Sequence, residues 1–132
     1  MKIETALRYA KEIAKRVQDV NGLIPTPRGE NEFMKVNGIW VFGSTVKGSQ
    51  NPNDLDLLID MDYHGERQSW EKVGYDPQYY RSCGVRCARS SKEEAMKWLT
   101  KGMKKVSRHC AKSEKAPLDV KVMIYPKFEL VT

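Results

Sequence analysis

The sequence contains no continuous apolar run of the length that a membrane-spanning segment requires. A transmembrane helix needs about 20 consecutive apolar residues, whereas charged residues make up 30% of this chain. The N-terminal stretch MKIETALRYAKEIAKRV also lacks the apolar core of a secretory signal, and its acidic Glu4 and Glu12 argue against a transit peptide. We therefore expect a soluble, cytoplasmic protein that has no membrane partner.

Cysteine is scarce as well. The three cysteines, Cys83, Cys87 and Cys110, are an odd number that cannot pair completely, which favours reduced thiols in a cytosol. A zinc site could be assembled from these cysteines and His109. However, the C-x3-C spacing and the adjacent His-Cys pair fit the common structural zinc patterns poorly. Buried or incidental thiols are the better interpretation.

The chain has the length of one domain, and we treat residues 1–132 as a single unit. Its 40% hydrophobic content is too high for a disordered chain. The net charge of +6 is concentrated in the middle, because residues 63–117 hold 13 basic and 6 acidic residues, a local charge of +7. A basic segment of this kind favours an anionic partner.

Hydrophobic periodicity predicts an α/β fold with a mixed sheet flanked by helices. A helical stripe of apolar residues covers 3–20 and stops at Asn21-Gly22, before a polar loop from about 24 to 35. Strands are predicted over 38–42, 54–60 and 118–124. In the second strand the alternation places Leu55, Leu57 and Ile59 on one face and Asp54, Asp56, Leu58 and Asp60 on the other.

Within the basic segment 63–117, the pattern predicts a further helix over about 91–111. Ser90 or Ser91 would begin it, and apolar residues spaced 3, 4, 3 and 4 apart would form its buried seam. Its opposite face would then carry Lys97, Lys101, Lys104, Lys105, Arg108 and Lys112. Such a face is either an ordinary solvated surface or a site for an anionic macromolecule, for which we single out Lys97, Lys101, Lys104 and Arg108.

The residues most informative about chemistry are three aspartates on predicted strands. Asp54 and Asp56 are two apart, so both carboxylates project from one face of the same strand, where their charges repel each other. If strand 118–124 lies beside strand 54–60, Asp119 joins them. Three carboxylates can hold two Mg²⁺ ions about 3.5–4 Å apart, an arrangement that activates an attacking oxygen and stabilises a leaving phosphate.

Gly43 and Ser44 follow the first strand and could supply a phosphate-binding turn. Glycine lets the backbone approach an anion closely, and the Ser44 hydroxyl with nearby N–H groups could contact a triphosphate. Lys47, one turn later, could neutralise part of the phosphate charge. Gly-Ser after a strand is common, so its value here lies in its combination with Asp54-x-Asp56 and a later isolated aspartate.

With these residues the segment VFGSTVKGSQNPNDLDLLID resembles the signature of the polymerase-beta-like nucleotidyltransferases, and its short length is closest to the minimal nucleotidyltransferases. The resemblance covers residues 38–60 and extends to 118–124. It implies a nucleotidyltransferase-like mixed sheet and two Mg²⁺ ions, with Mn²⁺ as a substitute. It further implies that Asp54, Asp56 and Asp119 are catalytic metal ligands, and that Gly43, Ser44 and Lys47 bind the nucleotide.

The implied function is transfer of a nucleoside monophosphate from a nucleoside triphosphate to an acceptor hydroxyl, with release of pyrophosphate. The acceptor could be a protein or an RNA, and the resemblance does not decide between them. The alternative is a nucleic-acid-binding or partner-binding module on an inactive nucleotidyltransferase scaffold. The +7 charge of residues 63–117 supports that alternative.

Overall fold

The fold is built on a five-stranded mixed sheet with helices packed on one of its faces. The structure is a computed structural model and describes residues 1–25, 32–65, 93–110 and 120–130. The elements in chain order are α1 (Ile3–Asp19), β1 (Leu23–Pro25), β2 (Glu32–Phe42), a 3-10 turn (Gly43–Thr45), β3 (Leu55–Gly65), α2 (helical over residues 93–99), β4 (Val106–Cys110) and β5 (Lys121–Tyr125).

Helix α1 confirms the predicted helix over 3–20 and its stop signal. Its apolar stripe is buried, with Ala6, Ala10, Ile13 and Val17 fully inaccessible to solvent. The chain leaves the helix through Asn21 and Gly22, which have φ values of 54° and 77°. These are left-handed conformations that asparagine and glycine adopt more easily than other residues.

Strands β2 and β3 are longer than the sequence predicted and form an antiparallel pair. The expected polar loop over 24–35 is wrong in part, because β1 takes up residues 23–25 and β2 already begins at residue 32. A bulge at Asn37 shifts the alternation, so Met34 and Val36 before it and Ile39 after it all reach the core. Simple period-2 alternation fails at such a bulge.

The strand order corrects one prediction. Strand 118–124, observed as Lys121–Tyr125, does not lie beside strand 54–60; it pairs antiparallel with β2, which separates it from β3. The second edge of β3 is taken by β4, which runs parallel to it. The sequence pattern predicts a helix over residues 106–110. Without a strand there, strand 118–124 was expected at the edge of β3 that β4 occupies.

The two faces of the sheet differ in character, as the alternation in β3 predicted. The core face packs against α1 and α2, and its fully buried residues include Ile39, Val41, Leu55, Leu57, Ile59, Met61 and Ile124. The opposite face, here called the site face, carries Trp40, Phe42, Asp56, Ser107, His109 and Lys121. Each fully buried Leu or Ile contributes roughly 1.5–3 kcal/mol to stability, so the core face anchors the strands that present the site face.

The predicted helix over 91–111 is wrong beyond residue 99. Gly102 has φ 83° and Lys105 has φ 58°, which no α-helix contains, and the chain then enters β4 at Val106. The apolar residues keep the 3-4-3-4 spacing of a helix through this turn although the backbone there is not helical, so the spacing is a coincidence. The predicted basic helical face therefore does not exist: Lys97 lies on α2, Lys101, Lys104 and Lys105 in the turn and Arg108 in β4, while Lys112 lies outside the described residues.

The end of α2 is fixed by a side chain of α1. Arg16 donates hydrogen bonds from Nη1 to the carbonyl oxygens of Leu99 at 3.0 Å and Trp98 at 3.5 Å, and its Nε contacts Glu12 at 3.3 Å. These bonds satisfy carbonyls that a helix end leaves without an intrahelical partner. They thereby set where the turn toward β4 begins.

None of the helices in the described ranges has the length and apolar character required to cross a bilayer. Residues 66–92, which include the proposed helix start and both Cys83 and Cys87, lie outside those ranges.

Replacing Gly102 by alanine distinguishes the observed turn from the predicted helix. No atom lies within 4 Å of a Cβ built on Gly102, so only the backbone conformation is affected. In the turn, alanine should destabilise the protein by about 1–2 kcal/mol because it disfavours positive φ. In a continuous helix it would instead stabilise by about 1 kcal/mol.

Chemical denaturation of Gly102→Ala gives the sign of this change. The control is Lys101→Ala in the same turn, which should alter the free energy of unfolding by less than about 0.5 kcal/mol. A more stable Gly102→Ala protein would contradict the observed turn.

Candidate functional site

The candidate site lies where β2, β3 and β4 meet at one end of the sheet. Asp56 is the second residue of β3, and it pairs with Phe42 of β2 and with Ser107 of β4. Asp54 lies immediately before the strand and is half-buried, like Asp56. The sequence prediction that these two carboxylates lie close together is supported by their mutual electrostatic interaction.

The turn after β2 comes into direct contact with Asp56. Gly43 has φ 76° and begins the 3-10 turn, and a Cβ built on it would overlap Asp56 Oδ2 and lie 3.3 Å from Asp56 Cγ. Only glycine combines this φ with so close an approach. The carbonyl oxygen of Gly43 accepts hydrogen bonds from the N–H groups of Val46 and Lys47, both at 3.2 Å, which hold the turn closed.

Two other residues of this segment extend the site. Ser44 is half-buried within the turn, and Lys47 is exposed just beyond it. Thr45 was not singled out from the sequence, although its side chain is buried and its hydroxyl has no hydrogen-bond partner within the described residues. Leaving such a group unpaired costs about 1–3 kcal/mol. A ligand or water that bonded to this hydroxyl would therefore stabilise the turn.

Asp56 has a raised pKa. The largest cause is its burial, which disfavours the charged carboxylate; the charge of Asp54 raises the pKa further, and the charge of His109 lowers it. A divalent cation would remove both unfavourable effects at once. In Asp56, the effects of burial and of the Asp54 charge therefore outweigh the stabilising charge of His109.

Strand β4 adds Ser107 and His109, which sequence reasoning missed as site residues. Ser107 is in register with Asp56, and the His109 ring meets Phe42 edge-on with the centroids 5.2 Å apart and an interplanar angle of 64°. The alternation in VSRHC is compatible with a strand, but the apolar residues before it have helical spacing and predict a helix instead. Alternation also directs His109 and Cys110 to opposite faces, which argues against a zinc site shared by both.

On the other side of β2, the site face continues onto β5. Lys121 pairs with Phe42 in register, and its Nζ lies 4.7 Å from the centroid of the Trp40 ring. The indole itself occupies the space above Gly38, where a Cβ would collide with it. An aromatic ring and a cation therefore border the Asp56 region on the β5 side.

The predicted set of three metal-binding carboxylates is present in part. Asp54 and Asp56 lie together, whereas Asp119 lies outside the described residues; the strand pairing that was expected to bring it to them is not observed, so its role as a ligand is a prediction from the sequence resemblance alone. Across ranges 1–25, 32–65, 93–110 and 120–130, no three His, Cys, Asp or Glu side chains form a group that could hold a metal ion. The described chain thus contributes two hard oxygen donors.

Comparison of the chain with protein-family models, with curated proteins and with solved structures gave no match.

Gly43→Ala should lower the free energy of unfolding more than alanine at a glycine that has a similar φ but open space around it. Gly48 is the matched control, because its φ is 87° and nothing lies within 4 Å of a Cβ built on it. Gly48→Ala should cost about 1–2 kcal/mol from backbone strain alone. Gly43→Ala should cost about 1–3 kcal/mol more, since it also displaces Asp56. Equal losses in thermal or chemical unfolding would contradict the close contact.

The pKa of Asp56 should respond in opposite directions to changes at its two charged neighbours. Asp54→Asn removes a negative charge and should lower the pKa, whereas His109→Gln removes a positive charge and should raise it. The measurement is a ¹³C NMR titration of the Asp56 carboxyl in each variant. Shifts of the same sign in both would contradict the electrostatic arrangement.

The raised pKa also predicts how stability depends on pH. Between the unfolded value of 3.8 and the higher folded value, the folded state binds more protons, so the free energy of unfolding falls as pH rises through this interval. Asp56→Asn lacks this loss and should become more stable than the wild type as pH rises, without added metal. A stability difference that is constant from pH 3 to pH 7 would contradict this.

Proposed function

We propose that this protein transfers a nucleoside monophosphate from a nucleoside triphosphate to an acceptor hydroxyl and releases pyrophosphate. The observation that carries the proposal is the contact between Gly43 and the Asp56 carboxylate. This contact places a glycine-containing turn, which could bind phosphate, next to a pair of carboxylates, which could bind a metal ion. The sequence resemblance to polymerase-beta-like nucleotidyltransferases gives the same two groups these roles.

The chemistry of the donors fits Mg²⁺. Mg²⁺ prefers hard oxygen ligands and is commonly bound by one or two carboxylates together with substrate phosphates, and Asp54 and Asp56 provide such a pair. Burial and the charge of Asp54 raise the pKa of Asp56, and a bound divalent cation would offset both effects. When bound, the metal would supply Lewis-acid stabilisation of the phosphate charge. Asp119 is the proposed third ligand.

The protein's own residues would hold and orient the substrate. Gly43, with its positive φ, would shape the turn that receives the phosphates, the Ser44 hydroxyl can donate to a phosphate oxygen, and Lys47 can offset negative charge. Asp54 and Asp56 would hold the metal. Most of the catalysis would then come from positioning and from electrostatic stabilisation, as is usual for phosphoryl transfer.

The test is incubation of the full chain with each of the four ribonucleoside triphosphates, labelled at the α-phosphate, and Mg²⁺. RNA and protein fractions of a cell extract are supplied as acceptors. We expect pyrophosphate release and macromolecule-bound label with at least one triphosphate. Asp56→Asn should reduce this by about 10²-fold or more, the scale of losing one group that stabilises transition-state charge.

Asp60→Asn is the matched control, since Asp60 lies on the same strand and the same face but away from the Gly43 turn. It should retain activity. If no triphosphate yields pyrophosphate, and Mg²⁺ with a triphosphate fails to raise the melting temperature of the wild type, the proposal is wrong. The inactive binding module then becomes the better interpretation.

A further inference from the structure

We infer that the nucleoside triphosphate carries guanine, and that this base stacks on the indole of Trp40 and accepts hydrogen bonds from the ammonium of Lys121. This inference rests on the proposed function and names the nucleotide that the site takes. It concerns the part of the site face that borders Asp56 on the β5 side, to which the proposed function assigns no role.

The residues of the site face form rows that run across the strands. One row consists of Lys121, Phe42, Asp56 and Ser107, and the next consists of Met123, Trp40, Leu58 and His109. The rows are two residues apart along each strand, which is about 7 Å. The Gly43 turn follows directly on the first row. A nucleotide with its phosphates on that turn and its ribose over the first row would therefore place its base at the second row.

Over β3 this second row is covered by a pair of rings. Phe42 and His109 belong to strands on opposite sides of β3, and two such strands are about 10 Å apart. Their ring centroids, however, are only 5.2 Å apart, so the two rings meet above β3. Leu58, in register with His109, is accordingly only 6% exposed. Among the described residues of this row, the aromatic surface next to the pair is that of Trp40, on the β2 and β5 side.

The indole of Trp40 is supported by the backbone of the sheet. Gly38 has no side chain, and the six-membered ring of the indole lies where its Cβ would be, with Cη2 2.5 Å from that position. The ring is half-buried, so part of its surface remains accessible. Stacking on an aromatic side chain stabilises every base, because each base has a π-face. Trp40 therefore provides affinity for a nucleoside without discriminating among bases.

Lys121 provides the discrimination. Its Nζ lies 4.7 Å from the centroid of the Trp40 ring, within reach of the edge of a base stacked on this indole. An ammonium group only donates hydrogen bonds, and guanine offers it two adjacent acceptors, N7 and O6. Adenine has an amino group beside N7, cytosine presents an amino group, and uracil presents O4 alone. The combination of Trp40 and Lys121 therefore favours guanine.

The test is isothermal titration calorimetry of the full chain with the α,β-methylene triphosphates of guanosine, adenosine, uridine and cytidine, in the presence of Mg²⁺. In these analogues a methylene group replaces the oxygen at which pyrophosphate would leave, so they bind without reacting. The guanosine analogue should bind at least about fivefold more tightly than each of the others, the lower end of what a two-acceptor contact contributes to base discrimination.

Lys121→Met removes the donor from an exposed position and should leave the fold intact. With stacking as the remaining contact to the base, the four analogues should bind this variant with affinities within about twofold of one another. The matched control is Lys127→Met, which removes an exposed lysine just after β5 that pairs with Glu129 at 3.9 Å. It should keep the guanosine preference. A preference that survives in Lys121→Met, or that is lost equally in Lys127→Met, would overturn the inference.

Trp40→Leu tests the stacking surface. It should weaken the binding of all four analogues by at least about fivefold, the lower end of the contribution of stacking per base. Trp98→Leu is its control, because it removes a half-buried indole from α2 on the other side of the sheet. This control should bind the analogues as the wild type does. If Trp40→Leu also binds them as tightly as the wild type, the indole only covers Gly38 and the inference is wrong.

The wild-type titrations separate this inference from the proposed function. Equal affinity for the four analogues, or tighter binding of one that carries another base, overturns the guanine inference and leaves the proposed function intact. If none of the four analogues binds in the presence of Mg²⁺, the proposed function itself fails, and the guanine inference fails with it.

Discussion

The contact between the backbone of Gly43 and the carboxylate of Asp56 is the constraint on which the rest of the site depends. It requires the β2–β3 register that pairs Phe42 with Asp56, and it requires a positive φ directly after Phe42. It also keeps Asp56 partly away from water, which raises its pKa. A shift of this register by one residue would turn Asp56 into the core and remove the turn from the carboxylate.

The core face makes that register unambiguous. Leu55, Leu57 and Ile59 are fully buried, and each would have to exchange places with an aspartate or another site-face residue if β3 slipped. Because burying unpaired carboxylates is strongly unfavourable, the apolar side of the strand fixes the polar side. Helix α1 contributes indirectly, since its buried stripe packs against the same core and its Arg16 holds the end of α2.

The sequence was most informative where local pattern and tertiary packing agree. The apolar stripe of α1, the alternation of β3 and the glycine after β2 each follow from a local rule, and all three were predicted. The β4 region could not be predicted in this way. The helical spacing of apolar residues in α2 extends through the turn into this five-residue strand and predicts a helix there. Because residues 106–110 were predicted to be helical, the edge of β3 that β4 occupies was assigned to strand 118–124, so one local error led to an error in topology.

The same misassignment concealed the second half of the candidate site. Ser107 and His109 can be recognised as neighbours of Asp56 and Phe42 only when β4 lies beside β3. Asp119 shows the opposite case: its role follows from the sequence resemblance alone, and the residue lies outside the described ranges. The structure brings Gly43 and Asp56 together and places β4 beside Asp56, while the roles of these residues stay predictions.

The most direct measurement of the central claim is paramagnetic broadening by Mn²⁺ of the backbone amide NMR signals, in the presence of a non-hydrolysable triphosphate. The Mn²⁺ ion should broaden the signals of Gly43, Ser44 and Asp56 at substoichiometric concentration, and Asp56→Asn should abolish this selectivity. Signals on the outer side of α1, such as those of Lys11 and Lys15, should remain sharp. Broadening that spares the Gly43 turn, or that is unchanged in Asp56→Asn, would contradict a metal–triphosphate site at this position.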